Sequence, residues 1–216
     1  MMKKLMYIAG AGSGLGLGAA KVFGRRGYAV VLMARGEERL RREAEALRAE
    51  GIEAHVHPAD AADFPAMKER WDEAVRLYGE PDLLFYNVGI TAADADAGPI
   101  TAETLMARYA ADTAGAYHCV RLAATDSFGR RGGAILITGG GLALAPSAAY
   151  LPLSMDKAAL RAMVLALAPA LKEKGIYLGT VQVTGVIGGS GRFAPEAIAE
   201  KFLELCEARD AAELVY

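Results

Sequence analysis

Residues 9–18 of this chain, Ala9-Gly10-Ala11-Gly12-Ser13-Gly14-Leu15-Gly16-Leu17-Gly18, carry a glycine at every second position. They follow an apolar run, Leu5–Ala9, and open a helically spaced stretch that reaches Arg26. Glycines placed there permit a tight turn and let the backbone approach a pyrophosphate, whose charge meets free N–H groups at the helix start. No Lys-Ser or Lys-Thr follows, so the turn is not a P-loop. A second apolar run ends in Met33-Ala34-Arg35. An acid at that point would bond the ribose of NAD, whereas a guanidinium suits a 2′-phosphate through charge and a two-pronged fork. The pattern predicts dinucleotide binding by Gly10, Ser13, Gly14, Leu15 and Gly16, with Arg35 favouring NADP(H) over NAD(H).

The elements that position these residues alternate. Apolar runs at Leu5–Ala9, Tyr28–Met33, Ile52–His57, Asp82–Tyr86, Gly133–Thr138, Ile176–Val183 and Leu214–Tyr216 read as strands. Between them lie helical patterns: Glu37–Glu50, Ala62–Tyr78, one long helix from Ala102 to Phe128, Ser154–Lys174 and Pro195–Ala208. Strands that are apolar throughout, alternating with helices, imply an α/β fold with a parallel, doubly wound sheet of six to seven strands and helices on both faces. Ligands then bind beyond the carboxyl ends of the strands. The 216 residues show no linker or repeat and predict a single domain over 1–216. A net charge of −2 gives no electrostatic case for nucleic acid or an anionic membrane. Two cysteines without a CxxC, and no clean signal peptide, predict a cytoplasmic protein.

Further motifs carry a family resemblance. The Gly10…Gly14…Gly16 spacing, Asp60 after the third strand, Tyr86-Asn87-Val88-Gly89, Gly132–Ile137, Ser154–Leu160 around Lys157, and Val183-Thr184-Gly185-Val186-Ile187 occur in order. Together they resemble the classical short-chain dehydrogenase/reductase family, with its Rossmann-type fold. The resemblance implies that Asp60 and Ala61 contact adenine, that Asn87, Gly89 and Lys157 line the cofactor, and that Gly185 and Ile187 lie beside the nicotinamide. It also implies a homodimer or homotetramer formed through the helices at 102–128 and 154–174, whose apolar circumference suits burial on more than one side.

The resemblance breaks at the proton-transfer groups. The family's Tyr position, four residues before Lys157, holds Leu153; its Ser position holds Gly140; its helix Asn position holds Asp112. Leucine neither donates nor accepts a proton. Three substitutes are candidates. A helix extended back to Tyr150 would put that hydroxyl about 5 Å along the axis from position 153. Thr138 offers a hydroxyl two residues before Gly140, and Asp112 offers a carboxyl, or else an ion-pair partner for Lys157. Two readings follow: an NADP(H)-dependent oxidoreductase on a small carbonyl or alcohol, or a relative that binds dinucleotide or a protein partner without hydride transfer. No metal site is expected, because His55 and His57 share a strand face without a third ligand. Trp71, His118 and Cys119 read as packing residues. The Arg39, Arg41, Arg42 cluster reads as a solvated helix face, and Ala93–Ala97 as a solvated loop.

Overall fold

The computed structural model describes residues 3–89 and 100–216. The Ala93–Ala97 stretch lies outside the described residues. Seven parallel strands form one sheet: β1 (Lys4–Ala9), β2 (Tyr28–Met33), β3 (Ala54–Val56), β4 (Leu83–Tyr86), β5 (Ala134–Thr138), β6 (Tyr177–Gln182) and β7 (Glu213–Val215). Their order is β3-β2-β1-β4-β5-β6-β7, so the winding direction reverses between β1 and β4. A crevice opens at such a reversal, outside the carboxyl ends.

Strand residues alternate between two cores, as burial on both faces requires. Met6, Ile8, Val30, Leu32 and Phe85 pack with α1 (Leu15–Arg25), α2 (Glu37–Ala49) and α8 (Pro195–Ala208). Tyr7, Val31, Leu84, Tyr86 and Ile137 pack with α3 (Phe64–Tyr78), α5 (Gly115–Ala123) and α7 (Leu151–Glu173). Trp71 and Cys119 lie in this second core, with the Trp71 ring edge-on to Tyr7.

Two helices differ from expectation. The stretch from Ala102 is α4 (Ala102–Tyr109), then a π-helical turn at Ala110–Ala114, then α5, which stops at Ala123. The Tyr86 hydroxyl donates to the Ala111 carbonyl within that turn. Gly115 allows the close approach, since a Cβ there would stand 2.5 Å from the Ala61 carbonyl oxygen. Thr125 then caps α6 (Asp126–Arg130) by accepting from the Phe128 amide at 3.1 Å. Helix α7 starts at Leu151, earlier than predicted, because Pro152 is tolerated in a first turn.

Candidate active site at the carboxyl edge of the sheet

A cleft of about 1000 Å³ lies over the ends of β1, β2, β4 and β5. Its floor is the glycine turn. Gly10 has φ +83, and a Cβ on it would stand 2.5 Å from the Val88 nitrogen, so this position takes only glycine. Gly12 and Gly14 have nothing within 4 Å of a Cβ position, which leaves the turn open toward the cleft. Leu15 and Gly16 begin α1, where the helix itself offers the N–H groups no partner. Gly16 does not line the cleft; a Cβ there would sit 2.9 Å from the Gly10 carbonyl oxygen, so its absence seats the helix on the turn.

Arg35 lines one end, together with Arg39 from the first turns of α2. Arg39 therefore belongs to the cleft and not only to a solvated face; Arg41 and Arg42 pair with Glu37 and Glu38. Asp60, Ala61 and Ala62 form the adjoining wall, where Asp60 Oδ1 accepts from the Ala62 amide at 3.0 Å. Asn87 ties two strand ends together. Its Nδ2 donates to the Gly10 carbonyl at 3.2 Å, and its Oδ1 accepts from Thr138 Oγ1 at 2.9 Å. The Thr138 hydroxyl is thus committed to Asn87, although Thr138 lines the cleft.

Lys157 reaches the far end from α7. Its Nζ donates to the Thr138 carbonyl at 2.8 Å, within an otherwise buried environment. Burial lowers its pKa, opposed by the Asp112 and Asp156 carboxylates. A Cβ at Gly89 would stand 3.8 Å from Lys157 Nζ and 3.9 Å from Asp112 Oδ2, so a bare glycine covers both charges. Asp112 is fully buried and does not line the cleft; it lies beneath, in the π-helical turn. Arg108 and Asp156, which the sequence reading missed, complete a buried set of four charges with Asp112 and Lys157. Arg108 lines the cleft. Thr113 Oγ1 donates to Asp156 Oδ1 at 3.0 Å, and burial pushes the Asp156 carboxyl up to about 6. The available signal was Asp156 and Lys157 sharing a helical face with Leu153, Leu160 and Val164, all buried.

Other sequence candidates fall elsewhere. Tyr150 is the residue before α7, not within it, and it is 37% exposed and absent from the cleft wall. Its carbonyl accepts from Ser154 Oγ at 2.8 Å. Leu153 is buried and also absent from the wall. The backbone nitrogen of Gly140 donates to Gln182 Oε1 at 2.9 Å, and a Cβ there would meet the Lys157 stem at 3.3 Å. Gln182 Nε2 in turn donates to Glu213, which Arg161 holds with two hydrogen bonds. Ile187 lines the cleft, but Gly185 does not, because the Phe193 ring fills the space beside its Cα. His57 Nε2 donates to the Arg70 carbonyl at 2.7 Å, and His55 Nε2 faces the Glu53 carboxylate at 3.1 Å.

A doubly wound parallel sheet with a glycine turn at its reversal point defines a Rossmann-type α/β protein. Residues 4–194 match the family described as short chain dehydrogenase, and this chain belongs to it. A Streptomyces coelicolor protein named as a ketoacyl reductase is 36% identical over 86 residues, 40% of this chain and 33% of that one. The match spans about a third or less of the first of the curated relatives, and 59% and 69% of two others. An actinorhodin polyketide ketoreductase solved with NADPH superposes with a TM-score of 0.88 at 24% identity, covering 99% of this chain and 95% of that one. An alcohol dehydrogenase of the archaeon Thermococcus sibiricus, complexed with 5-hydroxy-NADP, gives 0.85 at 22% identity, covering 99% and 95%. Both share the fold.

Proposed function

We propose that this chain is an NADP(H)-dependent oxidoreductase acting on a small carbonyl or alcohol. One observation carries the reading: a single cleft has a bare glycine turn as its floor, Arg35 and Arg39 at one end, and Lys157 at the other. The residues fit the cofactor. Open space above Gly12 and Gly14 admits a pyrophosphate onto the first turn of α1. Arg35 and Arg39 take the 2′-phosphate, Asp60 and Ala61 the adenine side, and Asn87, Gly89 and Ile187 the path toward Lys157. The bound nicotinamide would supply the hydride. Lys157, which lines the cleft with its Nζ at the Thr138 carbonyl, would hold the ribose and would carry a proton to a substrate oxygen in place of the hydroxyl missing at Leu153.

The test is NADPH-dependent reduction of ethyl acetoacetate, followed by loss of nicotinamide absorbance, for the wild type and Lys157→Met. Turnover abolished in the variant supports the reading. NADPH binding without turnover on this or any carbonyl probe supports the second reading, a non-catalytic binder, which Gly140 and Leu153 favour by offering no hydroxyl. Self-association uses the outer face of α4, α5 and α7, where Met106, Tyr109, Tyr117, Leu151, Met155 and Leu165 are exposed. Both cysteines are free and buried, and the chain works in the reducing cytoplasm. Among the described residues, no helix is long and apolar enough to cross a membrane.

A further inference from the structure

A strap, Thr184–Ala194, meets the cleft through Ile187, which lines it. The strap contains Gly188, Gly189 and Gly191, all at positive φ, and Val186 is 90% exposed. Phe193 packs against the first core, whereas the glycine-rich stretch before it carries no large buried side chain, so its position depends on its anchors. The anchors converge on Tyr216. The Tyr216 main-chain oxygen accepts from the Thr184 amide at 2.7 Å and from Thr184 Oγ1 at 2.8 Å, fixing the start of the strap. The Tyr216 hydroxyl donates to the Arg192 carbonyl at 2.8 Å, fixing its end. The ring meets Phe193 edge-on with centroids 5.8 Å apart, and the Arg192 guanidinium stands 4.8 Å from the Tyr216 centroid. Phe193 passes the hold inward, because its ring packs on the bare Cα of Gly185 and its carbonyl accepts from the Gly188 amide at 3.0 Å. Tyr216 itself is fixed by its amide, which donates to the Gln182 carbonyl at 2.9 Å.

We propose that Tyr216 is a positioning residue that clasps both ends of this strap, holds Ile187 against the cleft, and thereby slows release of the bound nucleotide. Retention of the nucleotide rests on the NADP(H) reading above; the clasp itself does not. Tyr216 touches neither the cleft nor the reacting atoms, so it acts through the strap alone.

Tyr216→Ala removes the ring and hydroxyl, and Tyr216→Phe removes only the bond to Arg192. The first measurement is the rate at which trypsin cuts after Arg192 in the nucleotide-free protein, followed by mass spectrometry. The second is the NADPH dissociation rate by stopped flow. Tyr216 also packs against the first core, so urea unfolding monitors global stability and the cutting rates are compared after that change is taken out. We expect cutting about tenfold faster in Tyr216→Ala, a smaller rise in Tyr216→Phe, and NADPH release faster by a similar factor. Unchanged cutting, or cutting that rises only in step with global unfolding, would overturn the clasp. Faster cutting with unchanged release would overturn the retention role. A wild type that binds neither NADPH nor NADH would overturn the functional reading, and retention with it, while the cutting rates still decide the clasp.

Discussion

The two halves of the cleft are built from different materials. On the β1–β2–β3 side the wall is mostly backbone: a glycine turn, a helix start and two exposed arginines. On the β4–β5–α7 side it is buried charge: Lys157 and Arg108 at the surface of the cleft, with Asp112 and Asp156 beneath. Backbone N–H groups and exposed guanidinium groups bind a phosphate at little desolvation cost. Buried charges are stable only as a mutually compensating set, so each depends on the others. The first half reads as a binding surface and the second as a device for holding protonation states.

Restoring the missing hydroxyls makes the sharpest contrast. Leu153→Tyr with Gly140→Ser should raise reductase turnover by about 10²-fold or more, as general acid catalysis typically contributes. The serine fits with a small shift of the Lys157 stem, 3.3 Å from a Cβ at Gly140. No gain in steady-state rate would show that the second half lacks more than these groups. Next in size, Gly10→Ala should cost about 3 kcal/mol in urea unfolding, from positive-φ strain plus collision with the Asn87–Val88 backbone.

Asp156 tests the buried half through pH. Its folded carboxyl, at about 6, lies above the ordinary 3.8, so the native state keeps a proton that the unfolded chain releases. Its stabilising contribution is complete below about pH 4 and is lost as pH rises toward 6, by roughly 2–3 kcal/mol. Asp156→Asn should flatten that slope in unfolding curves taken across the window. An unchanged slope would place the titration elsewhere. Arg35→Ala should weaken NADPH about tenfold or more, the worth of a charged hydrogen bond, and leave NADH unmoved in equilibrium titrations. The smallest effect lies outside the cleft: Thr125→Ala should lower stability by about 1 kcal/mol through loss of the α6 cap.

The same division governs what the sequence made legible. The glycine turn, Arg35, Asp60, Asn87 and Lys157 were readable because turn chemistry and strand ends are local properties, and all but Gly16 and Gly18 of the turn line the cleft. Arg39 was hidden by its neighbours, since an Arg and Glu mixture on a helix looks uniformly solvated. The substitutes proposed for the lost hydroxyl were harder. Tyr150 depended on where a helix starts, within one turn, and Thr138 on whether its hydroxyl was already bonded. The break in the long helix came from Tyr86 and Gly115 meeting across the fold, a contact that no periodicity encodes.

The central claim is that the glycine turn and the two arginines form a site for a 2′-phosphorylated dinucleotide. Calorimetric titration with NADPH, against NADH as the matched control, tests it most directly. The account predicts saturable binding of NADPH at least tenfold tighter than NADH. Equal affinities, or binding of neither, would contradict it.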